Sequence, residues 1–250
     1  MRNCLTRRSC SILLAGLLLF TALSAAAEED LKLPYDSAFM YLRLLGFAVD
    51  PDAADSFKQR TDDFLSMYLK TLDENFRKSI ISMYRKPPYL MYSYLLDLGL
   101  GITDEKTGAW TPASDRVYAF DAEFYDIENM YSLFLQGVQS IVPDAVFDDV
   151  EEDISGMTWE MSWSGDPAEI PTDGTRRVSF TCNGHPYSIE MISYGDWFNG
   201  EMLSFVNDVL RKEGCQKQLH ILSPQYDQMV LLIYDNALIA RLISSALDPN

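Results

Sequence analysis

The stretch RRVSFTCNGHPYSIEMI, residues 176–192, decides the architecture of the C-terminal half. At its middle, Asn183-Gly184 supplies the two positive-φ positions that a type I′ turn requires, so the stretch reads as a β-hairpin. A two-residue loop also fixes the register. Cys182 faces His185, Phe180 faces Tyr187 and Val178 faces Ile189 on one face; Thr181 with Pro186, Ser179 with Ser188 and Arg177 with Glu190 fall on the other. The first face is largely apolar, and the second is polar with an opposite-charge pair across the strands. Pro186 has no N–H to donate, so its strand is expected to be an edge near that residue, or to begin there.

Downstream, Asp196 or Asn199 is expected to cap a helix running to Glu213. Phe198, Met202, Phe205, Val206, Val209 and Leu210 form its apolar stripe, and Gly214 follows as a stop. Strands are predicted at 217–222 and 228–234, with Ser223-Pro224 opening the turn between them. A final helix over 236–246 is expected to pack through Leu238, Ile239, Leu242 and Ile243. The order β-β-α-β-β-α over 166–250 predicts an α+β fold, an antiparallel sheet with helices on one face.

Residues 28–165 read as a helix-rich N-terminal part, which could form one continuous domain with the C-terminal subdomain. Apolar periodicity predicts helices at 36–48, 53–84, 89–98 and 127–141. Asp50-Pro51 is read as the end of the first, and Pro87-Pro88 as the stop of the second. A strand is predicted near 117–124 by alternation, with Val117, Ala119, Asp121 and Glu123 on one parity. The acidic run Asp148 to Asp153 is expected to be a solvated loop or the first turn of a helix, ahead of a possible strand at 157–163. Gly165 to Gly174, with two prolines, is expected to be a loop and the seam between the parts.

The first 27 residues have a different character. Arg2, Arg7 and Arg8 precede an apolar run from Ile12 to Leu23, then Ser24-Ala25-Ala26-Ala27, then an acidic switch at Glu28. This is the pattern of a cleavable secretory signal peptide, and the apolar run is short for a membrane span. Leu14-Ala15-Gly16 is followed by Leu17 rather than Cys, which argues against a lipoprotein. Ser9-Cys10-Ser11 after the arginine pair argues against twin-arginine export. The expectation is an exported protein of the periplasm, envelope or exterior, with no stable membrane insertion after cleavage.

Loss of residues 1–27 would remove three arginines and no acid, leaving 17 basic against 37 acidic residues and a formal charge of −20. Nucleic-acid phosphates and anionic lipid both call for a basic surface, so neither is an expected partner. At 48% hydrophobic, the chain has the means to bury a core and is not an acidic disordered tail.

Chemistry-bearing residues are sparse. Cys4 and Cys10 would leave with the leader, so Cys182 and Cys215 remain, and an exported pair invites a disulfide. The only histidines sit beside them, in the patterns Cys182-x-x-His185 and Cys215-x-x-x-x-His220. Such a set offers zinc ligands, but His220 and Cys215 differ in parity if the strand has already begun, so the bridge is preferred and no cofactor is predicted. Neither a Gly-x-Ser-x-Gly nucleophile elbow nor a Gly-rich phosphate loop occurs. Asp121 and Glu123 share a strand parity and are the candidate pair for general acid/base hydrolysis. Trp159 and Trp163 share a strand face, and Trp197 clusters with Tyr194 and Phe198. Large aromatics usually fill cores; exposed ones stack on sugars or anchor partner proteins.

The sequence thus leads to a non-catalytic interaction protein with a protein or glycan partner. A hydrolase using Asp121 and Glu123, and a zinc module through Cys182, His185, Cys215 and His220, are the alternatives.

Overall fold

The computed structural model describes residues 32–104, 106–161, 169–222 and 228–248. Residues 1–27, expected to be a signal peptide, Trp163 and the turn expected after Ser223 lie outside these residues. The fold is α+β, with antiparallel sheets throughout. The described chain forms two compact units, one from residues 32–94, 102–111 and 247–248, the other from 95–101 and 112–246.

The first unit is built from helices α1 (Tyr35–Leu44), α2 (Pro51–Tyr68) and α3 (Glu74–Tyr84), with most of α4 (Pro87–Leu100) and a short ribbon, β1 (Ile102–Thr103) with β2 (Trp110–Thr111). Aromatic rings make its core. Phe39 and Phe57 meet Tyr94 edge-on at centroid separations of 5.0 and 5.3 Å.

Three helix boundaries differ from the sequence expectation. The continuous helix over 53–84 is two helices, because Asp73 leaves the helical conformation and accepts from the N–H groups of Asn75 and Phe76, both at 3.0 Å. A short side chain that satisfies the orphan donors of a new helix competes with continuation of the old one. Phe64 and Phe76, both apolar positions of the periodicity that predicted the single helix, are exposed. Pro51 and Pro87 open α2 and α4 rather than closing the helices before them. Proline fits the first turn, where its missing N–H is not needed; at α2, Asp50 completes the cap by accepting from Ala53 N–H.

The second unit holds two three-stranded sheets. In one, β3 (Val117–Asp121), β8 (Met229–Asp235) and β7 (Gln218–Ile221) lie in the order β3-β8-β7. In the other, β4 (Phe147–Met161), β5 (Glu169–Cys182) and β6 (His185–Tyr194) lie in chain order. The four strands of the β-β-α-β-β-α segment are therefore shared between two sheets, each completed by an earlier strand. Helix α5 (Met130–Ile141) packs against β3 and β4, and α6 (Glu201–Lys212) against β6 and β7.

The hairpin has the expected register at every pair from Arg177↔Glu190 to Cys182↔His185. Asn183 and Gly184 take φ of 51° and 81°. Arg177 pairs with Glu190 at 2.7 Å, and β6, with Pro186, is an edge strand. Arg176, Val178, Phe180 and Cys182 alternate inward and are buried, so one face of β5 is core and the other is wet.

The acidic run is neither loop nor helix. Asp148 to Asp153 lies in β4, which is bulged between Asp148 and Glu151, where Asp149 has φ of 51°. A bulge re-aims the side chains beyond it. Here it accompanies an inward Glu152, whose Oε1 accepts from the Ser132 N–H and hydroxyl at 2.8 and 2.9 Å in the first turn of α5. Finally, Ala240, Ile243 and Leu247 are buried along α7 (Ala237–Leu247), whereas Leu238 and Leu242 are exposed. Of the expected stripe, Ile243 is buried and Ile239 half-buried, while Leu238 and Leu242 are not part of it.

Candidate functional site: an acidic aromatic surface

Beyond Asp121 the chain leaves β3 and makes two backbone bonds to the segment ahead of α6. Phe124 N–H donates to Asp196 O, and Phe198 N–H donates to Ala122 O, each at 2.7 Å. Between them Glu123 and Trp197 form an antiparallel bridge. Residues opposed in this way place their side chains on the same side, a few ångströms apart. Tyr194 bridges to Trp197 as well, through a tight turn closed by Trp197 N–H on Tyr194 O at 3.2 Å.

Neighbouring residues fix this frame. Phe198 sits among Phe120, Phe134 and Tyr131 at centroid separations of 4.9, 4.8 and 5.6 Å. Asn199 receives the α6 N-terminus through Glu201 N–H at 2.9 Å, and its own amide donates to Ile192 O at 2.9 Å. Of the two expected caps, Asn199 is the one whose side chain bonds to the helix. With the Phe198 ring packed among these three, Trp197 faces outward and is 45% exposed. On the outer face of β6, Ile192 and Tyr194 are 55% and 53% exposed, and Tyr125 is 73% exposed.

Gln228, just before β8, ties the two candidate carboxylates together. Its Nε2 donates to Asp121 Oδ2 at 3.0 Å and lies 3.4 Å from Glu123 Oε2. Asp121 also accepts from Glu123 N–H at 2.9 Å. A neutral amide satisfies oxygens but leaves both charges in place. Asp121, Glu123 and Trp197 are thus brought together as three of the residues singled out in the sequence. Gln228 had no sequence signal, being 107 positions from Asp121. Trp159 lies opposite Pro171 in β4, in another sheet.

The cysteines behave differently from expectation. Cys182 and Cys215 carry free thiols and are not bridged. The Cys182 side chain is turned into the core, while Cys215 Sγ is directed to Asp144 O at 3.8 Å. Burial first, then the charges of Glu213 and Cys215, push the Cys182 thiol up to about 12, the opposite of nucleophile activation. His185 Nδ1 lies 3.1 Å from Glu213 Oε1, and His220 Nε2 lies 3.1 Å from Asp235 O. Among the described residues, no group of three His, Cys, Asp or Glu side chains is placed to hold a metal ion.

Around Cys182 the side chains form a structural lock. Glu213, at the end of α6, accepts from Tyr187 Oη, from His185 and from Asn183 Nδ2. These donors, Tyr187 foremost, hold its carboxyl below the ordinary value. Asn183 also exchanges bonds with Val146, its N–H donating to Val146 O and its Oδ1 accepting from Val146 N–H, both at 2.9 Å.

A shallow depression of about 370 Å³ is lined by Pro112, Ala113, Ser114, Asp115 and Ser140, and by neither candidate carboxylate. No protein-family model, curated protein or solved structure matches the chain. Among the described residues, no helix is long and apolar enough to cross a membrane.

Proposed function

We propose that this chain is an exported, non-catalytic binding protein of the envelope or exterior, and that it meets its partner at the surface carrying Tyr194, Trp197, Asp121, Glu123 and Gln228. The observation that carries this reading is the exposure of Trp197 beside Phe198, whose ring is held among Phe120, Phe134 and Tyr131. An aromatic held outward at little entropic cost is what a recognition surface uses, and such residues dominate binding energy where they occur. The export half of the reading rests on the leader-like residues 1–27.

The hydrolase reading keeps one supporting observation, the approach of Asp121 and Glu123 to a single amide nitrogen. Both stand on an open surface. Hydrolysis of a bound glycan or peptide that is lost in Asp121→Ala would move the protein into that class.

Two measurements test the proposal. Wild-type protein and the variants Tyr194→Ala and Trp197→Ala are compared for retention of envelope glycans and peptides, alongside their melting temperatures. Loss of retention at unchanged melting temperature is the expected result; equal retention by all three removes the surface from the proposal. Amino-terminal sequencing of protein recovered from the envelope or medium should begin near Glu28. An intact Met1 would overturn the exported form.

A further inference from the structure

The charge around this surface points to the kind of partner, an inference that rests on the binding reading above. No lysine or arginine occurs from Val117 to Thr175, from Val178 to Leu210, or from Gln218 to Ala240. Those three segments supply every residue of the surface. On the outer face of the β5–β6 hairpin, the nearby cation Arg177 is already neutralised by Glu190 at 2.7 Å. Among the described residues Asp121 and Glu123 have no cationic partner; their polar partners are neutral, the Gln228 amide for both and the Glu123 N–H for Asp121. Two unneutralised carboxylates therefore stand beside an outward Trp197 and Tyr194, with the apolar Ile192 next along β6.

We infer that this surface docks a cationic peptide segment, with a lysine or arginine side chain laid across Trp197 and Tyr194 and its charged head against Asp121 and Glu123. The electron-rich face of an indole or phenol attracts a cation, and tryptophan does so best. A long basic side chain also has an apolar stem that covers aromatic surface while its head reaches the carboxylates. Ile192 and Tyr194 give neighbouring residues of the peptide an apolar footing that a small polyamine would not use. The acidic surroundings would steer such a partner in and repel anionic ones.

The test uses the full mature chain and a labelled lysine pentapeptide, with a glutamate pentapeptide, spermidine and an N-acetylglucosamine oligomer as competitors. The lysine peptide is expected to bind at low ionic strength and to weaken as salt shortens the screening length below about 10 Å. Both Trp197→Ala and the double variant Asp121→Asn/Glu123→Gln should raise its Kd by about tenfold. Asp121→Asn keeps only one of the two oxygens that now accept bonds, from Glu123 N–H and Gln228 Nε2, so the melting temperatures of both variants are compared with wild type to guard against a folding artefact. Absence of lysine-peptide binding up to about 1 mM, or equal affinity in the variants, overturns the inference. So does competition by spermidine as effective as by unlabelled peptide. Binding of the neutral glycan that depends on Trp197, with the peptide indifferent to it, would overturn the cationic partner and leave the binding surface standing. If envelope material and every probe bind all variants alike, both readings fall.

Discussion

Arg176 Nη1 donates to Glu152 Oε2 across 2.8 Å, and both side chains are withdrawn from solvent. The guanidinium lies 5.3 Å from the Tyr131 ring centroid, and its Nη2 is 3.5 Å from Met157 Sδ. Arg176 Nε has no partner among the described residues. Burial pushes the Glu152 carboxyl above its ordinary value, opposed by the Ser132 donors and by Arg176. One carboxylate therefore binds the N-terminal turn of α5 and the inner face of β5 together, and the positive end of the helix favours it there.

Removing one partner of such a pair strands the other. Arg176→Met should destabilise the protein by about 3–5 kcal/mol in denaturant unfolding. Arg176→Met with Glu152→Leu should recover part of that loss, leaving about 2 kcal/mol for the two Ser132 donors without an acceptor. Additive losses would show that the two groups act independently.

The Glu213 lock gives the protein an acid-sensitive seam. Its folded carboxyl lies below the ordinary value of 4.5, so the stability it contributes is complete above that pH and is lost as pH falls through the lowered value. Melting temperatures measured from neutral pH into acid should fall less steeply below about 4.5 in Glu213→Gln than in wild type. The variant should already be less stable at neutral pH. Parallel curves would mean that Glu213 does not carry the effect.

Free thiols can be counted. Unfolded protein lacking residues 1–27 should titrate two thiols without reductant, and its mass should not change on reduction. In the folded state Cys182 should be inert to alkylation, because it is buried and its thiol is raised to about 12. Cys215, partly exposed, should react first. A gain of two hydrogens on reduction would restore the bridge.

Two glycines should respond differently to alanine. A Cβ on Gly137 would lie 2.0 Å from the Tyr118 ring, so Gly137→Ala must displace that buried ring or α5 itself and should cost about 1–3 kcal/mol. Gly184 has open space around it but φ of 81°, so Gly184→Ala should cost only the left-handed conformation, about 1–2 kcal/mol. Thermal or denaturant unfolding of the two variants distinguishes a steric from a conformational penalty.

Where the physics is local, the sequence alone determined the outcome. The hairpin register follows from a two-residue turn with positive φ at both positions and from alternation along its strands, and all six expected pairs form. Met202, Val206, Val209 and Leu210 bury along α6 as their spacing requires. Tertiary structure decided what depends on partners distant along the chain. Asp148 to Asp153 looked like a solvated charge run because the residue that draws Glu152 inward, Arg176, is 24 positions away and on another strand. The strands β7 and β8 belong with β3 rather than with the hairpin, a pairing that periodicity cannot express. Spacing left Cys182 and Cys215 free to pair, yet the fold turns one thiol into the core and the other toward Asp144. Asp121, Glu123 and Trp197 were each visible as residues, but their meeting rests on two backbone bonds between segments more than seventy positions apart. Side-chain alternation and turn geometry act over a few residues, whereas strand pairing and charge burial select partners only once the chain has closed its long loops.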